Sequence, residues 1–303
     1  DDELMIFDKF RSKSSSEKEM AKSTREKKPK KPKAASSVKA KIKPQVKSKA
    51  AGGPNENPAP EISVESPQPA AKYPLFYNNV TTLTAEQHSA LKFRTKRDFT
   101  FAKNANAVPV TIGEFPLLSR FYPIAFTAGE KASCLAILGV PSQTNLFVSE
   151  TGAWRDNCYI PAYVRRYPFM LAGTDDPTKM ILCADTEATS LSEDGDELLF
   201  EEQKPTKLLD DKLAFSRALY DQFKVTNEFT TALSEQDLLV EQSVKLTTTD
   251  GQETGASGFC IIDETKFNQL PDDVFLDWRR RGWLPAIYLQ LLSMNNWASL
   301  VAH

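Results

Sequence analysis

The chain has 303 residues, 41% of them hydrophobic and 10% aromatic, enough for one sizeable core or two small ones. Its formal net charge of −2 hides a segregation: Lys9–Lys49 carries fourteen Lys and two Arg against Glu17, Glu19 and Glu26, a net +13 that the acidic remainder cancels. No run reaches the roughly 18 uninterrupted apolar residues of a membrane-spanning helix, since Pro285, Gln290, Asn295 and Asn296 break the nearest one, which excludes an integral transporter subunit.

The first 72 residues read as a disordered Lys/Pro/Ala-rich tail. From Arg11 to Lys72 there is no aromatic residue, so little apolar surface offsets the entropy of ordering. KKPKKPK and KIKPQVK resist helix and favour an extended, self-repelling chain. Such a tail serves as a solubilising spacer, or it contacts a polyanion: nucleic acid, anionic lipid or acidic polysaccharide. With no aromatic platform for bases, that contact is weakly specific and salt-sensitive. The LMIF cluster near the start is far shorter than the about 7–15 apolar residues of a secretory signal.

An ordered domain is expected over residues 73–303. Thr84-x-x-Gln87 resembles a capping box opening a helix through Phe93, with His88 inside it. Asp98–Val110 reads as a short strand pair, and Thr111–Phe121 as a helix with Glu114 in its first turn. YPIAF, SCLAILGV and NLFVS read as strands, Gly152 as a turn, and Tyr163–Leu171 and Lys179–Ala184 as further strands. The acidic Ser192–Glu197 loop suggests calcium, but Gly195 interrupts the alternation of an EF-hand too early, leaving a solvated loop.

From about Thr206 the apolar period becomes helical: Leu209, Leu213, Leu219, Phe223 and Phe229 recur at near three- and four-residue spacing. A hairpin follows, with Asp250-Gly251 at its turn and GFCII as the returning strand. Asp263 caps the next helix, and two more helices finish the chain. Strands first and helices later predict an α+β domain, a mixed or antiparallel sheet with C-terminal helices.

Candidate chemistry is sparse. G-x-S-x-G, G-x-x-x-x-G-K and G-x-G-x-x-G are all missing from the sequence. Two histidines leave little for His-based catalysis or a multi-His metal site, and no cofactor or metal is expected. Cys134, Cys158, Cys183 and Cys260 are widely spaced, and all but Cys158 lie in apolar runs, so they read as buried free thiols. What stands out is Arg165 and Arg166 beside the carboxylates Glu114 and Asp185. On a strand, adjacent side chains point to opposite faces, so one arginine is expected inward, paired with a carboxylate. The sharper reading is a cleft rimmed by Trp154, Tyr163 and Tyr167, where a guanidinium forks onto a ligand carboxylate or phosphate.

Several separated motifs carry a family resemblance. NAVPVTIGEFP with YPIAF comes first, then NLFV, G-x-W-R and YIPAYVRRYPF, then GFCIIDETKFNQLPDDVF and RRGWLPAIYLQLLSMNNW. In this order the chain resembles the SapC family, a bacterial surface-layer-associated family, from about Tyr73 to Leu300. The resemblance implies no agreed chemical activity. It implies a non-enzymatic accessory or binding protein of cell-envelope or surface-layer context, with an envelope protein as partner. Where relatives tend to carry histidines in the last helix, this chain has Tyr288 and Gln290, so no metal or acid–base role carries over to that helix. Two alternatives remain. One is an enzyme using the Arg–carboxylate cleft on a small anionic substrate. The other is a domain tethered by its basic tail to nucleic acid or anionic membrane.

Overall fold

Short apolar runs such as Ile124–Thr127, Cys134–Ile137 and Met180–Asp185 form antiparallel strands here, and a long helix braces them. A computed structural model describes residues 73–129, 131–140, 144–173, 179–247 and 253–300, all within one compact unit. The basic tail, the domain boundary at residue 73 and the Asp250-Gly251 turn lie at or outside the limits of the described residues.

The chain opens with β1 (Val80–Thr82), α1 (Ala85–His88) and β2 (Lys92–Phe93). The expected capping box does not form. The Thr84 backbone N–H donates to His88 Nδ1 at 3.2 Å, and the helix stops after one turn because Lys92 and Phe93 enter a sheet. The expected strand pair over Asp98–Val110 is also corrected. Asp98 Oδ1 accepts the Thr100 backbone N–H at 2.8 Å and its hydroxyl at 2.5 Å, which curls the chain into a 3-10 turn over Thr100–Ala102. One strand, β3 (Ala107–Pro109), follows.

A second 3-10 turn, Ile112–Glu114, leads into α2 (Phe115–Leu118), then β4 (Ile124–Thr127) and β5 (Cys134–Ile137). NLFVS makes a single bridge, Val148 to Trp154, around Gly152, whose φ of 78° suits the turn expected there. Tyr163–Leu171 is not one strand. It splits into α3 (Ala162–Arg166) and β6 (Phe169–Gly173) at a cis Tyr167-Pro168 bond, and β7 (Met180–Asp185) pairs with β6.

Short strands β8 (Leu191–Ser192), β9 (Glu197–Leu198), β10 (Phe200–Glu201) and β11 (Lys204–Pro205) precede α4 (Lys207–Glu235). Then come β12 (Leu239–Thr247), β13 (Glu253–Ile262), α5 (Glu264–Phe267), α6 (Asp272–Arg281) and α7 (Leu284–Ser293). Asp263 caps α5 as its sequence position predicts, accepting from Thr265 N at 2.9 Å and Lys266 N at 3.1 Å. The fold is therefore α+β with antiparallel sheets and C-terminal helices.

The largest sheet runs β12-β13-β4-β5-β3, with every neighbouring pair antiparallel. β1-β7-β6 and β8-β2-β9 form two smaller sheets. Two cores result. The larger collects Phe115, Tyr122, Phe126, Phe259, Trp278 and Trp283, while the smaller holds Phe169, Leu191, Leu199, Phe200 and Leu209. Helix α4 reaches both: Leu209 near its start lies in the small core, and Phe229 and Leu233 near its end lie in the large one. Its 29 residues extend about 44 Å, long enough to brace the two cores.

Phe229 is fully buried and meets Trp283 edge-on at 5.8 Å. Phe229→Ala is expected to cost about 3–5 kcal/mol in denaturant melts. Tyr220→Ala, on the exposed side of the same helix, is expected to cost under about 0.5 kcal/mol. Equal losses would break the bracing role assigned to α4.

Candidate functional site

The segment Tyr159-Ile160-Pro161-Ala162-Tyr163-Val164-Arg165-Arg166-Tyr167-Pro168-Phe169 holds four of the seven residues singled out from sequence, and two more grip it. Proline brackets its helix on both sides. Pro161 lacks an N–H and sits at the N-cap, while Pro168 disfavours helix for the residue before it. Arg165 and Arg166 thus stand side by side on a turn of helix rather than on opposite faces of a strand.

Glu114 is 4% exposed and grips the start of α3. Its Oε1 accepts the Ala162 backbone N–H at 2.7 Å and the Tyr159 hydroxyl at 3.1 Å. Its Oε2 accepts the Thr111 backbone N–H and hydroxyl, both at 3.0 Å. Asp185 is fully buried and grips the other end. Its Oδ2 accepts the Asn78 N–H at 2.8 Å and the Tyr167 hydroxyl at 3.2 Å, and its Oδ1 accepts the Asn79 and Glu187 N–H groups, both at 3.1 Å. An ionised carboxylate offers about four lone-pair sites, and here all four are occupied.

Neither arginine pairs directly with these carboxylates. Arg165 donates through Nε to the Ile160 carbonyl and through Nη2 to the Tyr159 hydroxyl, each at 3.0 Å. The Tyr159 hydroxyl therefore links Arg165 to Glu114, accepting from one and donating to the other. The Arg165 guanidinium also lies 5.2 Å from the Phe215 ring of α4. Arg166 donates through Nε to the Tyr77 hydroxyl at 3.2 Å and lies 4.7 Å above the Tyr163 ring. Both arginines are half-buried. Among the described residues no carboxylate comes within ion-pair distance of either.

The expected aromatic rim is largely interior. Tyr163 is buried and donates to the Leu75 carbonyl at 3.2 Å. Tyr167 is half-buried and stacks on Phe101 at 4.2 Å. Trp154 is buried apart from the arginines, its Nε1 donating to the Tyr122 hydroxyl at 3.2 Å; that hydroxyl donates to the Tyr159 carbonyl at 2.5 Å. Sequence reading missed Tyr77, Tyr159 and Thr111. Tyr77 and Tyr159 act through partners distant in sequence and no local pattern marks them, whereas Thr111 carries one, the Thr111-x-x-Glu114 capping box.

Burial holds these phenols neutral. It pushes Tyr77 up to about 12, with Arg166 partly offsetting the shift. Burial also raises Tyr159 and Tyr167, with the charges of Glu114 and Asp185 adding to the rise. Cys134, Cys183 and Cys260 are buried and Cys158 half-buried, and burial raises the Cys134, Cys158 and Cys260 thiols. Among the described residues, no three His, Cys, Asp or Glu side chains converge as metal ligands, and no helix is long and apolar enough to cross a membrane.

Away from the arginines, an open groove of about 730 Å³ runs between α4 and α6. Trp278 and Trp283 line it together with Lys224, Glu228, Asp277 and Arg281.

Removing a carboxylate strands several donors at once, so Glu114→Ala is expected to cost on the order of 4 kcal/mol in denaturant melts. Arg165→Ala and Arg166→Ala are each expected to cost about 1–2 kcal/mol, since both lose bonds to neutral acceptors and ring contacts at half-buried sites. A large asymmetry between them would show that one ion-pairs in solution. Because the folded Tyr77 pKa lies above its ordinary value of about 10, its contribution is complete below about pH 10 and disappears as pH rises through about 12. Stability should therefore fall above about pH 10, less steeply in Tyr77→Phe, followed by tyrosinate absorbance and melting temperature.

No curated protein and no solved structure matches the chain. The SapC family profile matches residues 83–300, from just past β1 to the end of a closing 3-10 helix (Met294–Leu300), across both cores and the whole clamped segment. The chain belongs to the SapC family.

Proposed function

We propose that the chain is a non-enzymatic accessory or binding protein of bacterial cell-envelope or surface-layer context. The observation that carries this reading is the saturation of Glu114 and Asp185. A general base must offer a lone pair to a substrate proton, and these two carboxylates direct theirs at backbone N–H groups and tyrosine hydroxyls of the fold itself. The raised phenols and thiols point the same way, since none is poised to lose a proton near neutral pH. The envelope context is what the family name implies.

A second reading has one specific observation in its favour. Arg166 is half-buried and has no carboxylate partner among the described residues, so a small anionic substrate would find a guanidinium available. Thermal melts of the chain against phosphate and simple mono- and dicarboxylates separate the readings. The binding-protein reading expects no anion-dependent rise in melting temperature. A rise that grows with anion concentration, equivalent to about 2.7 kcal/mol of added stability at a hundredfold excess over Kd, and that disappears in Arg166→Ala would transfer the assignment to the enzyme reading.

A further inference from the structure

Helix α6 turns a patterned face to solvent. Inward, Trp278 is buried and Val274, Phe275 and Asp277 are half-buried; outward, Asp272, Asp273, Leu276, Arg279 and Arg280 are all exposed. At 100° per residue these five lie within about 60° of the direction of Leu276. Leu276, 37% exposed, is at the midpoint, with the acids three and four residues before it and the arginines three and four residues after. Asp277 pairs with Arg281 at 2.8 Å on the flank. The four outward charges have no ion-pair partner among the described residues. Within the helix they could not pair with each other as acid and base across the centre, because six to eight residues separate them by about 9–12 Å. The helix dipole accounts for acids at the start and bases at the end. It does not account for a large apolar residue left partly exposed between them.

We propose that this face is a self-association surface, on which a second copy of the chain packs its own α6 antiparallel about a two-fold axis at Leu276. Positions 272 and 280, and 273 and 279, are equidistant from 276. The axis keeps each residue on its own side of the Leu276 direction, so it sets Asp272 against the partner's Arg279 and Asp273 against the partner's Arg280, four opposite-charge pairs per dimer, with the two Leu276 side chains meeting between them. Such a contact is self-complementary, as a two-fold interface must be. Parallel packing is excluded by the same residues, since it sets Asp on Asp and Arg on Arg. One ten-residue helix face is small beside the roughly 1,600 Å² of a standard interface, so the dimer is weak and salt-sensitive. The surface is separate from the arginine segment and does not depend on the binding-protein reading.

Sedimentation velocity of the full chain, from micromolar to millimolar concentration at low and high salt, tests the proposal. The wild type should associate with concentration, and less so at high salt. Asp272→Arg with Asp273→Arg gives an all-basic face, and Arg279→Asp with Arg280→Asp an all-acidic one. Each variant alone should weaken self-association by about tenfold or more, and an equimolar mixture should associate at least as tightly as wild type. Both reversals also oppose the helix dipole, so Leu276→Asp, in mid-helix, is the independent variant and should dissociate the dimer while the monomer still unfolds in one cooperative, somewhat lower melt. A wild type that stays monomeric throughout, association that survives Leu276→Asp, or reversed variants that fail to associate on mixing would each overturn it.

Discussion

Two buried carboxylates organise the centre of this molecule, and the constraint they impose is hydrogen-bond saturation. A carboxylate removed from water must replace every lost hydrogen bond or abandon its charge. Glu114 and Asp185 replace theirs from opposite directions, drawing Thr111, Tyr159 and Ala162 to one side and Asn78, Asn79, Tyr167 and Glu187 to the other. Helix α3 is suspended between them. Their bonds fix where its arginines stand, and the arginines in turn spend their Nε donors on the Ile160 carbonyl and the Tyr77 hydroxyl.

The same anchoring joins the two cores. Phe169, one residue past the second bracketing proline, enters the small core, while Tyr163 and Val164 enter the large one. Helix α4 repeats the connection on the outside, meeting β6, α3 and the Ile112–Glu114 turn, where the Ile112 N–H reaches the Thr226 hydroxyl at 3.1 Å. The segment therefore contributes side chains to both cores. Its polar groups have structural work within the chain.

The helical C-terminal part presents a different chemistry. Its interior is aromatic, with Phe229, Trp278 and Trp283 in edge-on contact, and its exterior carries charges of both signs with Leu276 partly exposed among them. Solvated charges that find no partner on their own helix are where contacts with another chain can form, because pairing there costs little desolvation.

Much of the architecture was legible in the residues themselves. The helical period from Leu209 to Phe229, the continuous apolar runs of YPIAF and SCLAILGV, the Asp263 cap and the burial of Cys134, Cys183 and Cys260 depend on local pattern and hydrophobicity, which a sequence states directly. Tyr163–Leu171 was misread because alternation alone cannot distinguish a strand from a turn of helix followed by one, and the two prolines were the better guide. Glu114 and Asp185 were expected to pair with an arginine; both are buried, and they bond backbone N–H groups and hydroxyls instead. The partners of Glu114 across the fold, Tyr159 and Ala162, lie 45 and 48 residues away, and Asn78 lies 107 residues from Asp185. Separations of that size have no periodic or positional signal. Only the closing of the sheets around α3 decided which donors met which acceptors.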